Sequence, residues 1–290
     1  MQLITWNTQW CCGLDGVVSP QRIVQQARAL ADFDVLCLQE IAVHYPGLAG
    51  NAGHDQVALL RDLLPGYQVF FGAAVDEWGP GGMRQRFGNL IATRLPVLQL
   101  QHYPLPYPAD AGVSSMPRMC TVATVRDPAL GAVRVMTTHL EYYSRRQRMA
   151  QARALRALHG QACAQAAAPP EACNDGSPFQ TKAHTPHAVL CGDFNFEPHE
   201  PEHAALCAPD VADESDGAAP GARLWDSWRL LHGNAPHPPT FRLYDRTYGP
   251  EPVACDFVFV SDSLKDRVQR LVVDAATQAS DHQPVAVWIG

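Results

Sequence analysis

Apolar runs that break off on an acid, an amide or an imidazole constrain this chain more than any other feature. The first run, Gln2–Asn7, ends on Asn7, and Glu40 follows the second, Asp34–Gln39. Val-Met-Thr-Thr-His closes on His139, and Ala-Val-Leu-Cys-Gly-Asp-Phe-Asn closes on Asp193 and Asn195. Asp256 opens Asp-Phe-Val-Phe-Val, and Asp281-His282 stands just before the last run, Pro284–Ile289. Runs of this length read as buried strands. In layered architectures, strand ends are where a rigid scaffold presents reactive groups. Any one of these residues, taken alone, reads as a turn former, because Asp and Asn favour strand ends for local hydrogen bonding. Together they point to one site. Asp193 and Asn195 are two apart and face the same way, while Phe194 between them points into a core.

The intervening elements predict the fold class. Ser19-Pro20 supplies an N-cap and a first-turn proline for a helix that repeats Ile23, Val24, Ala27 and Leu30 at helical spacing. Helices are also expected over His54–Leu64 and, with Ala and Arg throughout, over Ser144–His159. Further strands are expected at Tyr67–Phe71, Gly88–Thr93, Val97–His102 and Met119–Arg126. Ala132–Thr138, Ala188–Gly192, Asp256–Ser261 and Gln269–Val273 continue the set, with short helices near Pro201–Cys207 and Leu224–Leu231. Residues 164–187, rich in Ala, Pro and small polar residues, read as a loop insertion. Strands and helices alternate, then strands come in runs, then alternation resumes. That order fits an α/β (α+β) fold of two mixed sheets packed face to face with helices outside, as a single domain over 1–290.

Composition sets outer limits. At 290 residues with 18% charged residues, the chain can bury a substantial core and is not a disordered polymer. No apolar run reaches the roughly 18 residues of a membrane span. A net charge of -7 argues against non-specific coating of nucleic acid or anionic membrane. The nine cysteines form no C-x-x-C pair, and Cys37, Cys120, Cys191 and Cys255 sit inside apolar runs. With no basic leader before the first strand, a reduced, cytoplasmic setting is expected. Nothing in the chain marks an obligate protein partner.

The residue types at the strand ends suggest chemistry. Glu, Asp and Asn oxygens suit a hard divalent cation, Mg²⁺ or Mn²⁺. The two histidines, without thiolates at zinc spacing, read as proton-transfer or phosphate-contact groups tuned by carboxylates. His199-Glu200-Pro201-Glu202-His203 does satisfy the H-E-x-x-H zincin pattern. Pro201 breaks the helix that would put both histidines on one face, and fits better as the first-turn proline of a helix that leaves His199 outside. Arg145, Arg146 and Arg148 follow His139 and read either as phosphate contacts or as a solvated helix start. Trp6, Trp225, Trp228 and Trp288 are expected in the core, and Trp10 and Trp78 at the rim of the site.

The ordered set Thr-Trp-Asn (Asn7), Leu-Gln-Glu (Glu40), Phe-Gly-Asn-Leu-Ile-Ala-Thr-Arg (Phe87–Arg94), Thr-His-Leu (His139), Gly-Asp-Phe-Asn (Asp193, Asn195), Asp-Phe-Val-Phe-Val-Ser (Asp256–Ser261) and Ser-Asp-His-Gln-Pro-Val (Asp281, His282) resembles the endonuclease/exonuclease/phosphatase superfamily. This DNase I-like group comprises metal-dependent phosphoesterases, and the resemblance spans nearly the whole chain. It implies a four-layer α-β-β-α sandwich with the site at one edge of the paired sheets. It implies that Glu40, Asn7 and Asp281 bind metal, that Asn7, Asn195 and Arg118 contact phosphate, and that His139, Asp193, Asn195, Asp256 and His282 are catalytic. Asp256 would orient His282, and either Asp193 or His282 would be the general base. Relatives with a histidine at the His139 position give it a carboxylate partner, and Asp76 or Glu77 lies in the corresponding stretch.

The expected activity is therefore hydrolysis of a phosphodiester or phosphomonoester, on a small molecule or a nucleic acid. Inositol-phosphate phosphatases of the group carry Trp-Cys-Asp-Arg where this chain has Ala-Cys-Asp-Phe (Ala254–Phe257), which disfavours that branch. A nuclease would be expected to show a basic groove, for which Arg84, Arg86, Arg118, Arg145 and Arg146 are the available residues. A non-catalytic binding protein on this fold would have lost site residues, and none is lost.

Overall fold

The structure is a computed structural model that describes residues 1–208 and 222–290. The chain starts with β1 (Gln2–Asn7), α1 (Pro20–Leu30), β2 (Val35–Val43), α2 (Gln56–Leu63) and β3 (Gln68–Trp78). It continues through β4 (Arg84–Thr93), β5 (Val97–Pro104), β6 (Met119–Asp127), β7 (Gly131–His139), α3 (Arg145–Ala167) and β8 (Ala188–Asp193). It ends with α4 (Pro201–Cys207), β9 (Leu224–Asp226), α5 (Ser227–His232), β10 (Asp256–Ser261), β11 (Val268–Val273) and β12 (Val285–Ile289). Ser19 caps α1 by accepting from the Arg22 amide at 3.2 Å, and Pro20 opens the helix. Ile23, Val24 and Ala27 are the face it buries.

The strands form two six-stranded mixed sheets, ordered β11-β12-β1-β2-β4-β3 and β5-β6-β7-β8-β10-β9. Each central strand is covered on both faces, which is why its sequence is apolar without a break. In β1, Leu3 joins the layer between the sheets with Val35, Val135, Val189 and Val258. Ile4 and Trp6, on its other face, pack with Ile23 and Val24 of α1. Beyond the second sheet, Leu190, Phe257 and Phe259 pack with Leu155 of α3 and Leu206 of α4. The result is the four-layer α-β-β-α sandwich. Each such side chain, fully buried, contributes about 1.5–3 kcal/mol. Gln39 ties the layers by polar contact as well, its Nε2 donating to Thr5 Oγ1 at 3.2 Å and to Thr137 Oγ1 of the other sheet at 2.8 Å.

Register brings the strand ends together. β1 runs parallel to β2 with Asn7 opposite Gln39, and β7 runs parallel to β8 with His139 opposite Asp193. β10 runs antiparallel to β8, so its first residue, Asp256, lies opposite Asp193.

Several expectations need correction. α3 runs on to Ala167, so the irregular segment starts after it and not at 164. Leu224–Leu231 is not one helix. Its first three residues pair with β10 as a strand before Asp226 caps α5. Of the four tryptophans expected in the core, only Trp6 is fully buried. Trp225 and Trp288 pack partly buried against the inner layers, each with a cation over its ring, and Trp228 lies half-exposed over His232. No disulfide forms among the described residues, and none of their helices is long and apolar enough to cross a membrane.

Candidate active site

Local backbone irregularities aim the site residues. In β2 the register against β4 slips between Leu38 and Ile41, and within that bulge Glu40 takes φ +60°. The extra residue lets the Glu40 side chain leave the strand's alternation and turn towards Asn7. Asn195 takes φ +52° just past β8, and Gln9, Trp10 and Cys11 (φ +47°, +43° and +60°) make a left-handed turn just past β1. Such conformations cost about 1–3 kcal/mol at each residue other than glycine, and persist only where surrounding packing imposes them. Gly192 allows β8 a close approach to β7, since a Cβ there would lie 1.9 Å from the Thr138 carbonyl oxygen.

The side chains form one connected network. Asn7 Nδ2 donates to Glu40 Oε1 at 3.0 Å and to Asp193 Oδ2 at 2.9 Å, linking residues of both sheets. Asn195 Nδ2 donates to the Leu140 carbonyl and meets His139 Nε2, both at 3.0 Å. With the amide so oriented, His139 Nε2 accepts and its proton sits on Nδ1, which faces Glu40 Oε1 at 3.9 Å. His282 Nδ1 lies 2.8 Å from Asp256 Oδ2, and its Nε2 lies 3.7 Å from Asp193 Oδ2. Gln9 Nε2 donates to Asp281 Oδ2 at 3.0 Å. Arg118, buried, reaches the same pocket with Nε held by Glu141 Oε2 at 3.2 Å, while its Nη1 has no hydrogen-bond partner.

Crowded carboxylates dominate the electrostatics. Burial, reinforced by Asp281 and opposed by Asn7 and His282, pushes Glu40 up to about 7. Burial raises Asp193 to about 6, with His282 pulling the other way, and burial raises Asp281 as well. Burial holds His139 well below the ordinary imidazole value, aided by the charges of Arg118 and His282, so it is neutral. Burial would lower His282 too, but the charges of Asp256 and Asp193 outweigh it and hold the ring as imidazolium.

The donor set fits a hard cation. Three carboxylates resist ionising together, and among the described residues neither Glu40 nor Asp281 meets a lysine or arginine within 4.0 Å. A divalent ion bound by oxygen ligands would relieve that repulsion. Asp193, Cys255 and His282 also lie within 4.8 Å of one another. That trio suits a metal less well, because burial keeps the Cys255 thiol protonated and Asp256 already holds His282.

All nine expected site residues, from Asn7 to His282, meet at this end of the sandwich. The proposed partners of His139 do not. Asp76 pairs with Arg84 at 2.6 Å and Glu77 accepts from the Tyr45 hydroxyl at 2.7 Å, because both lie on the outward extension of β3. Trp10 lines the pocket, whereas Trp78 is 73% exposed away from it. Arg148 is buried, donating to the Glu141 and Tyr142 carbonyls, and so is not part of a solvated helix start. In the H-E-x-x-H stretch His199 stays outside α4, and His203 turns inward to Asp226 at 2.9 Å. Sequence reasoning missed Thr240, whose Oγ1 accepts from the Asp256 amide at 3.1 Å. It also missed Phe241, stacked on the His282 ring at 4.2 Å and 17°. Both follow an unpatterned proline-rich stretch, and no local signal marks them.

The model of the Endonuclease/Exonuclease/phosphatase family matches residues 4–282. No curated protein matches. Among solved structures, an endonuclease/exonuclease/phosphatase from Beutenbergia cavernae is 25% identical, with TM-score 0.66, over 100% of this chain and 72% of its own. A mannosyl-6-phosphatase from Bacteroides thetaiotaomicron is 18% identical, with TM-score 0.65, over 100% and 99% of the two chains. The human Nocturnin catalytic domain, solved with sulfate, is 18% identical, with TM-score 0.58, over 99% and 92%. The strand-end network sits on the fold these proteins share, and the chain belongs to the endonuclease/exonuclease/phosphatase family, whose members act as hydrolases on phosphate esters.

Proposed function

We propose that this protein is a Mg²⁺- or Mn²⁺-dependent phosphodiesterase that cleaves its ester by direct attack of water. The observation that carries the reading is the crowding of Glu40, Asp193 and Asp281, all held above the usual carboxylate range, in one pocket with two histidines in opposite charge states. Glu40 and Asp281, with Asn7 beside them, would hold the cation. When bound, it supplies positive charge to a phosphoryl oxygen. Asp193, ionised above about pH 6, takes the proton of the attacking water, and Asn195 positions that water. His282, kept as imidazolium by Asp256, stabilises the phosphoryl charge and donates to the leaving oxygen. Arg118 offers its unpartnered Nη1 to a phosphate oxygen. Neutral His139 acts as a positioning group for Asn195.

The surroundings favour a small diester over a polymer. Of the five arginines a nuclease groove would draw on, Arg84 and Arg145 pair with acids and Arg118 serves the pocket itself, which leaves Arg86 and Arg146. Trp10, Tyr142, Tyr143 and Tyr248 rim the pocket, so a planar group on the ester would find stacking partners. The test compares bis-p-nitrophenyl phosphate, p-nitrophenyl phosphate, plasmid DNA and RNA, with EDTA and then with Mg²⁺ or Mn²⁺ restored. Cation-dependent cleavage of the small diester is expected to be fastest. Activity indifferent to EDTA would overturn the mechanism, and faster turnover of plasmid or RNA would replace the substrate reading with a nuclease.

A further inference from the structure

A second cavity, of about 230 Å³, opens between the outer face of β5–β7, the C-terminal half of α3 and the end of the 168–187 segment. It shares no lining residue with the catalytic pocket. Arg134 lies at its base, 7% exposed, five residues before His139 on β7 and hence about 17 Å along the strand at 3.3 Å per residue.

Among the described residues the guanidinium has no counter-charge. Nη2 meets the His159 ring at Nδ1, 2.7 Å away, and Nη1 meets the Met136 sulfur at 3.8 Å, while Nε is buried without a hydrogen-bond partner. His159 does not neutralise it, because burial and Arg134 itself hold that ring neutral, down to about 3. Among the described residues no Asp or Glu lines the cavity, although acids outnumber lysines and arginines 29 to 22 in the chain. Instead the 182–185 stretch brings Lys182, one of only two lysines, and His184, whose buried Nε2 also lacks a partner. The remaining polar lining is amide and hydroxyl. Gln99, Thr124 and Arg134 stand in one row across β5, β6 and β7, with Gln161 facing them from α3.

A buried cation is ordinarily matched by an anion, and a cavity built from an unmatched arginine, a lysine, amides and hydroxyls is complementary to one. We propose that this cavity is a second ligand site, which binds a small oxyanion, phosphate or carboxylate, borne on a hydroxylated body. The oxyanion pairs with Arg134 and Lys182, and the amides of Gln99 and Gln161 serve the hydroxyl groups. Occupancy also fastens the 168–187 segment to the sheet through Lys182.

The test is calorimetric titration of the full chain in EDTA with inorganic phosphate, ribose 5-phosphate and citrate. At least one is expected to bind saturably. Stronger binding of the two phosphates, or of citrate, identifies which oxyanion the site prefers. Loss of one charge-assisted contact is expected to weaken binding about tenfold in Arg134→Gln and about fivefold in Lys182→Ala. Lys182 is exposed, so the second variant keeps the test valid should the first fail to fold. Gln99→Glu provides the missing counter-charge internally, and is expected to raise Tm and abolish binding. In the His282→Ala background, where any phosphate affinity of the catalytic pocket is weakened, saturable binding is expected to persist. Binding that survives Lys182→Ala and Gln99→Glu but disappears in His282→Ala belongs to the catalytic pocket and overturns the proposal. So does the absence of saturable binding by any probe up to about 10 mM, a range that spans even weak specific affinities.

Discussion

Two aspartate–histidine clusters sit within this molecule, and their bond lengths do not distinguish them. Asp256 meets His282 at 2.8 Å, and Asp226 meets His203 and His237 at 2.9 and 2.7 Å. What differs is how the remaining valences are used. Asp226 is saturated: one oxygen takes both histidines and the other caps α5 through the amides of Trp228 and Arg229. Burial alone would raise Asp226, but the two histidine bonds outweigh it and hold the group below the ordinary carboxylate range. Beside Asp256, by contrast, Asp193 and Glu40 are held above their ordinary values, and the pocket opens to solvent. An aspartate–histidine bond therefore marks a fixed ring. Unrelieved charge around the ring marks chemistry.

The largest expected effect separates the clusters by function. Asp193→Asn and His282→Ala are each expected to lower kcat on bis-p-nitrophenyl phosphate by about 10³-fold, within the range for loss of an acid–base group. His203→Gln should stay within about threefold of the native rate. Steady-state kinetics on folded variants decides it, and comparable losses in both clusters would erase the distinction.

The converse holds for stability. Asp226→Ala leaves two buried imidazoles and a helix N-terminus without their acceptor, and is expected to cost about 3 kcal/mol. Because the folded Asp226 is depressed, its contribution is complete above the unfolded value of about 3.9 and is lost as pH falls through the folded one. Denaturant melts of the two proteins should accordingly differ most near neutral pH and converge in strong acid. Asp193→Asn, which removes a repelled charge, should leave Tm unchanged or raise it.

Glu40 gives the opposite pH sign. Its folded value of about 7 lies above the ordinary 4.5, so between them the folded chain keeps a proton that the unfolded chain has released. Cation-free stability should then fall as pH rises from about 4.5 through about 7. The expected size is about 2 kcal/mol, allowing for a side chain still 19% exposed. Mg²⁺ should recover that loss at pH 8. Glu40→Gln should reduce the pH slope to the part left by Asp193 and Asp281 and abolish the Mg²⁺ effect on Tm, and equal protection of the variant would move the cation elsewhere.

The contrast also explains what was readable from the chain. Strand ends carry the candidate catalytic groups, and a buried strand announces its own end where apolar residues give way to Asn7, His139 or Asp193. The saturated cluster draws on α4, a loop and the end of β9, a three-residue strand too short to announce its boundary, and its one conspicuous signal, the H-E-x-x-H spacing, comes from a helix cap beside a core histidine. The sequence points to Asp76 or Glu77 as the partner of His139, and neither reaches it. The register slip between Ala73 and Val75, just before Asp76 and Glu77, is a property of the pairing of β3 with β4, which no single strand's residues disclose.

A short segment joins the clusters and supports the smallest prediction. His237 bonds Asp226, Thr240 accepts from the Asp256 amide, and Phe241 stacks on His282, all within five residues. Pro238 and Pro239 between them fix two φ angles, so the segment transmits displacement better than an ordinary loop. His237→Ala removes one of the two histidine bonds to Asp226 and should cost about 1 kcal/mol of stability. If the segment sets the position of the His282 ring, the same change should lower kcat two- to fivefold, at about 1 kcal/mol or less of transition-state stabilisation, and leave KM nearly unaltered. Loss of stability with an unaltered kcat would make the saturated cluster a pure anchor. A fall in kcat without a change in KM would make it the rigid base against which the catalytic ring is held.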